Sequence, residues 1–448
     1  MQQLRVILLA AALVAPAAPG ARGADLVVWW EQGFYAQEDE AVREIVAAFE
    51  QDTGKRVELT FHPLLELPAK IGEALGAGQP PDFAFGLPMA AYILDWAFED
   101  RLVDLTDTVR SFSDLFDPDA LAWWVAPNGK TGQKALYALP MGRSSFHLHV
   151  WKSLLERAGF TLADIPREWE AFWAFWCDRV QPAVRQATGR DDIWGIGLPM
   201  STEGTEVSGQ FLQFVAAYAA DYVTRDGRLV IDDPEIRHRL AEAIDGYTAI
   251  YRKGCTPPDA VSWDNTGNNK AFLAQTVVMT PNETLSIPNA LRRERPDDYH
   301  DNSATIEWPL GPRGEVFPIK GDFFAAAVFK DGGHVATAEE FVRFLVAEGW
   351  LAHYLDFSAE RMLPPMPKLL DQPFWLDPSD RHRMAAVMQV SSRPLHHIYS
   401  VASGDRRHDL VSRERVWAKA IDRIVTEGVS PEQAVDEAIA RIKQILSD

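Results

Sequence analysis

Cysteine is nearly missing from this chain: Cys177 and Cys255 are the only two in 448 residues. A small disulfide-framework domain is thereby excluded, and a chain of this length can bury large cores without one. The pair leaves two arrangements open, a single bridge or two buried thiols. Basic charge is also scarce. Lys and Arg total 44 against 64 Asp and Glu, a formal charge of −20, which repels nucleic acid and anionic membranes. Long apolar runs are absent. Val6–Val14 is the main one, and it falls short of the roughly 20 residues that span a bilayer core. No Gly-x-Ser-x-Gly elbow and no His-Glu-x-x-His pair occurs, and Gly195-x-Gly197 lacks the third glycine of a dinucleotide loop. His147-x-His149 and His396-His397 bring imidazoles together without an evident third ligand, so no metal and no cofactor is expected.

What is present begins at the N-terminus. Arg5, the apolar run, the breakers Pro16 and Pro19, and Ala21-Arg22-Gly23 form the pattern of a cleavable signal peptide over residues 1–23. No cysteine stands beside that cleavage point, so a lipid anchor is not expected and a periplasmic location is. The remaining length suits two domains. Fifteen Trp supply aromatic faces for packing or for stacking on sugar rings.

Periodicity then reads as alternating strands and helices. Leu26–Trp30 is a strand, and Val42, Ile45, Val46 and Phe49 mark a helix that Gly54 ends. Arg56–Phe61 and Asp82–Gly86 are strands, with helices at Pro68–Leu75 and Ala90–Phe98. A second such region follows. It has strands at Ala135–Leu139 and Phe146–Val150 around the loop Pro140-Met141-Gly142-Arg143, and further strands at Gly195–Leu198 and Thr276–Met279. Asp233-Pro234 and Ser430-Pro431-Glu432-Gln433 open helices with a capping residue and proline behind it. The fold class is α/β, each unit a mostly parallel sheet flanked by helices.

The order of these pieces resembles the family 1 extracellular solute-binding proteins of ABC importers, the group that includes maltodextrin-binding proteins. The stretches that carry the likeness are Leu26–Glu31, Pro81-Asp82-Phe83, Arg101–Thr106, Ala135–Pro140 with Val150-Trp151-Lys152, Ile165–Trp169, Lys270–Leu273 with Val278-Met279, and the Ser430-Pro431-Glu432 helix. The resemblance implies a two-lobed fold of type II with a ligand cleft between the lobes. It places 24–141 and 322–361 in an N-terminal lobe, and 142–321 and 362–448 in a C-terminal lobe. The chain then crosses near Met141, Gly321 and Arg361. It implies a monomer that captures a small polar ligand, a sugar, sugar alcohol or related polyol, and delivers it to inner-membrane permease subunits without catalysis. The alternatives are a sugar phosphate, polyamine or organic acid on the same fold, or a secreted carbohydrate-active enzyme.

A sugar needs polar partners for its hydroxyls and a flat ring for its apolar face, and loops at strand ends bring such groups together. The candidates are Trp30, Glu31 and Phe34 after the first strand, Arg143 at the first crossing, and Glu203 in a polar loop. Trp263 and Asn265 precede the Phe272 helix, Asn282 and Glu283 follow the Met279 strand, and Gly321, Asp322 and Arg361 stand at the later crossings. Successive strand residues face opposite ways, so one of Trp29 and Trp30 is core; Trp30 is the one assigned to the cleft.

Overall fold

The computed structural model describes residues 23–33, 35–347, 349–358, 361–397 and 399–447. Residues 1–22 of the expected signal peptide, and Phe34, lie outside the described residues. Among the described residues no helix is long and apolar enough to cross a membrane.

Eleven strands occur in the described chain. They are β1 Leu26–Glu31, β2 Val57–His62, β3 Phe83–Phe85, β4 Val125–Pro127, β5 Lys134–Leu136, β6 Leu139–Arg143, β7 His147–Trp151, β8 Trp194–Ile196, β9 Val277–Asn282, β10 Ser303–Ile306 and β11 Phe323–Val328. They build two main sheets, β2-β1-β3-β11-β6 and β10-β7-β9-β8, and a β4-β5 hairpin. Each main sheet has its own apolar core. One draws on Leu26 to Met141 and Phe323 to Met366, the other on Phe146 to Ile319 and Tyr399 to Ile445. The molecule therefore has two lobes, each an α/β layer structure with its helices packed on a sheet.

The sheets are mixed, not mostly parallel as expected. β1 pairs parallel with β2 and β3, but β11 pairs antiparallel with both β3 and β6. In the second sheet only β8–β9 is parallel, while β7 runs antiparallel to β9 and β10. The reason lies in the crossings: β6 and β11 carry the chain between lobes, so they enter the sheet from opposite ends.

Two loops of the sequence reading are strands. Pro140–Arg143 lies inside β6, where proline is tolerated because β6 is an edge strand. The register against β11 shifts between Phe324 and Ala325, opposite Gly142 and Pro140, which bends the strand as a bulge does. Asn282 ends β9 and does not follow it. β8 stops at Ile196, so Pro281 needs no donor on that side.

The helix starts follow local chemistry. Asp233 accepts the Glu235 amide at 2.9 Å to begin Pro234–Arg252, and Gly54 closes Ala36–Thr53 at φ 69°, a left-handed position that favours glycine. Cys177 and Cys255, 78 residues apart, are joined as a disulfide, which decides between the two arrangements the sequence left open. That bond belongs to an oxidising compartment.

Candidate ligand-binding site

Three connecting segments lie side by side between the lobes. Arg143 exchanges two 2.8 Å backbone hydrogen bonds with Leu363 and is paired with Phe323 on its other side. The packing is tight enough to require glycine twice. A Cβ on Gly142 would sit 2.7 Å from Met362 Sδ, and one on Gly321 would sit 2.3 Å from the Ser144 carbonyl oxygen. Glycine permits this close approach of chain to chain.

Ser144 joins these segments to the second lobe. Its hydroxyl donates to Glu283 Oε1 at 3.0 Å and accepts the Asp322 amide at 2.9 Å. The Ser144 amide donates to the Asp322 carbonyl at 2.8 Å, and the Ser145 amide to the Glu283 carbonyl at 3.1 Å. Lys320 Nζ contacts Asp322 Oδ1 at 2.5 Å. Four of the expected site residues, Arg143, Glu283, Gly321 and Asp322, are thus brought together here. Burial and then Asp322 push the Glu283 carboxyl up to about 7, against the pull of Lys320 and Ser144. Burial pushes Asp409 to about 7 as well, with Asp95 and Asp322 adding to it and Ser400 and Arg413 opposing. Two carboxyls near the crossings, Glu283 and Asp409, are thus shifted up from the ordinary carboxylate range, and a protonated carboxyl can donate as well as accept.

At the end of β1, Glu31 is buried. It accepts the Leu87 amide at 2.7 Å and Arg361 Nη2 at 2.7 Å. Arg361 also lies 3.6 Å from Glu38. Burial raises the carboxyls of Glu31 and Glu38, partly countered by Arg361; burial opposes the charge on Arg361, and the two glutamates outweigh it. Glu31 and Arg361 are partners of each other and tie the third crossing to β1. Close by, Tyr35 donates to the Ser286 carbonyl at 3.1 Å, and Arg293 lies over its ring at 5.1 Å, so the first lobe touches the second.

Several expected contacts fall elsewhere. Trp30 shares the core face of β1 with Leu26 and Val28 and packs on Phe83, Phe85 and Tyr354. Trp29 is the partly exposed ring and meets His62 at 4.5 Å. Burial alternates along β1 as expected, but its core face is that of Trp30, so Trp30 is not a cleft residue. Trp263 is in the second core, with Gly267 seated against its ring. Asn265 accepts the Thr205 and Glu206 amides at 2.8 and 3.2 Å and so caps the helix Glu206–Ala217. Glu203 is exposed. Asn282 is buried in an amide–hydroxyl network, donating to Asn269 and accepting from Thr284 and Ser286. His147 and His149 are buried and held neutral by burial; His149 bonds Thr305 at 2.9 Å.

Other polar groups between the lobes were not singled out by the sequence. Asp95, on the helix Ala90–Phe98 of the first lobe, pairs with Arg406 and Arg413 of the second. Arg413 lies over the Tyr92 ring at 5.1 Å and Arg406 over Phe98 at 4.4 Å. A lone Asp in an otherwise apolar helix was the available signal. Behind this contact lies a cavity of about 550 Å³, lined from one lobe by Leu94, Phe98 and Lys134 and from the other by Ser400, Val401 and Arg407. A second, of about 390 Å³, lies between Gln37 and Asp356 on one side and Arg292 and Arg293 on the other.

Strand ends, chain crossings and polar groups from both lobes meet between the two sheets, the side on which α/β sheets hold their ligands. The family model for bacterial extracellular solute-binding proteins matches residues 44–380. The chain belongs to that family. No curated protein sequence matches the chain, but solved structures share its fold. An ABC transporter solute-binding protein from Thermotoga lettingae TMO, bound with alpha-D-tagatose, matches with a TM-score of 0.75 at 17% identity, over 94% of this chain and 99% of that one. Maltose-bound MalE3 of T. maritima gives 0.72 at 19%, over 94% and 99%. The GacH receptor of Streptomyces glaucescens GLA.O, solved unliganded and with acarbose, gives 0.74 at 18%, over 94% and 98%. This solute-binding protein thus has the two-lobed architecture of transport binding proteins.

Proposed function

We propose that this protein captures a sugar or sugar alcohol between its lobes in the periplasm and hands it to the permease subunits of an ABC importer. The observation that carries the reading is the meeting of Ser144, Glu283 and Asp322 at the crossings, where a buried hydroxyl and two partly buried carboxyls, groups suited to hydroxyl ligands, join the two lobes. Sugars bound to the tagatose and maltose proteins of the same fold support it. An anionic ligand is disfavoured at the crossings, because Lys320 is already paired with Asp322 and Glu283 stands beside them. The ligand would be released unchanged, so no reaction is assigned and the protein is not an enzyme.

In this reading the mature chain starts after a cleaved signal peptide and works as a monomer. The N-terminal lobe is 24–141 with 322–361, and the C-terminal lobe 142–321 with 362–448. The packing of Met362 and Met366 in the first core supports a third crossing that extends a few residues past 361. Tyr35–Ser286 and Asp95 with Arg406 and Arg413 would be among the contacts that closure makes.

A thermal-shift screen over sugars, polyols, sugar phosphates, polyamines and organic acids tests the ligand class, because a ligand selective for the folded state raises the melting temperature. Incubation with labelled oligosaccharide tests the absence of reaction: any product would show an enzyme instead.

A further inference from the structure

Away from the gap, Asp221, His396 and His397 each place one donor atom within 4.8 Å of the other two. His396-His397 has no third ligand beside it in the chain; the fold supplies one from 175 residues away. His396 is buried and its backbone is fixed, its amide donating to the Ile319 carbonyl at 2.9 Å while the Ile319 amide donates to Pro394 at 2.9 Å. The imidazole Nε2 of His396 meets Asp221 Oδ1 at 2.6 Å, and the Tyr399 hydroxyl donates to that same oxygen at 2.6 Å. The two histidine rings stack at 5.0 Å.

The surroundings suit ligation. His397 Nε2 contacts the Val223 carbonyl at 2.7 Å. A carbonyl only accepts, so this nitrogen carries the proton and the ring's lone pair is on Nδ1. Such an outer hydrogen bond is how metal-binding imidazoles are oriented and kept in one tautomer.

We propose that Asp221, His396 and His397 form a binding site for one borderline divalent transition-metal ion of the zinc class. Two imidazoles and a carboxylate are a donor set such ions accept, with a fourth position for water. With metal–ligand bonds of about 2.0–2.2 Å, tetrahedral donors stand about 3.4 Å apart, so the 2.6 Å His396–Asp221 contact opens by under an ångström and the wider separations, none above 4.8 Å, close by little more than one through side-chain rotation. The ion takes the place of the proton on His396 Nε2, which moves to Nδ1 or to water. Once bound, it ties the Asp221 turn to the segment that holds Ile319, the neighbour of Lys320 at the second crossing.

The test uses the mature chain without a histidine tag, stripped with chelator, and titrated with zinc ion by calorimetry. One ion per chain is expected, with a raised melting temperature, and Asp221→Asn, His396→Gln and His397→Gln each weaken binding at least tenfold. His397→Gln is the mildest of the three, because that ring is partly exposed. Should a variant fail to fold, cobalt ion with the unaltered protein decides: strong visible bands of a four-coordinate centre support the site, and a pale six-coordinate spectrum overturns it. Zinc uptake that is absent up to millimolar ion, or that all three variants retain in full, also overturns it. Sugar binding is measured on the same samples, so failure of the metal site is distinguishable from failure of the sugar reading.

Discussion

Ser144 and Glu283 stand 3.0 Å apart, hydroxyl to carboxyl, at the point where the first crossing meets the end of β9. The serine also holds the Asp322 amide, so one side chain connects two crossings and the second lobe. Ser144→Ala removes the donor and leaves Glu283 facing Asp322 without it. A loss of about 1 kcal/mol is expected for the hydrogen bond itself, read in urea unfolding, and sugar affinity should fall more than stability does.

The disulfide is the second test. Cys177 and Cys255 close a loop with a sequence separation of 78, for which chain entropy gives about 4.5 kcal/mol of stabilisation. The double substitution to alanine, or reduction of the native protein, should lower the urea midpoint accordingly while leaving sugar affinity almost unchanged.

Arg361 is expected to be the most sensitive single position at the crossings. It is buried against Glu31 and Glu38, and removing a partner from a buried pair costs about 3–5 kcal/mol. Arg361→Ala should therefore destabilise by that order in equilibrium unfolding. A variant within 1 kcal/mol of the parent would remove Arg361 from this role.

Glu206 predicts a pH dependence. Burial and then Glu283 raise it from 4.5 to about 8, despite hydrogen bonds from Gln210 and Asn268. A carboxyl raised on folding binds more protons folded than unfolded, so its contribution is full below about pH 4.5 and is lost as the pH rises through about 8. Glu206→Gln keeps the acceptor oxygen for Gln210 and Asn268 and should flatten this fall, measured as unfolding free energy from pH 5 to 8.5.

Much of the fold was legible because apolar periodicity and caps are local signals. β1, the helix closed by Gly54 and the cap at Asp233 all follow from neighbouring residues. β6 was not legible, since Pro140 and Gly142 read as a turn, and only its place at a sheet edge beside a bulge makes them a strand. The polar residues divided in the same way. Glu283, Gly321 and Asp322 meet because β6, β9 and β11 bring distant segments together, which no local pattern announces. Asn265 and Asn282 were spent on a helix cap and a buried network, uses that a polar residue in a loop offers equally. Which face of β1 is core depends on the sheet's neighbours, so Trp30 could not be told from Trp29 by alternation alone. Asp95 was hidden because its partners, Arg406 and Arg413, come from the far end of the chain.

Titration calorimetry of the mature protein with mono- and disaccharides, repeated with Glu283→Gln, tests the central claim most directly. The account predicts that one sugar binds at one site per chain, at micromolar affinity or tighter, and that Glu283→Gln weakens it at least tenfold. Saturation by a sugar phosphate, polyamine or organic acid with no response to any neutral sugar, or a sugar affinity that Glu283→Gln leaves unchanged, would contradict it.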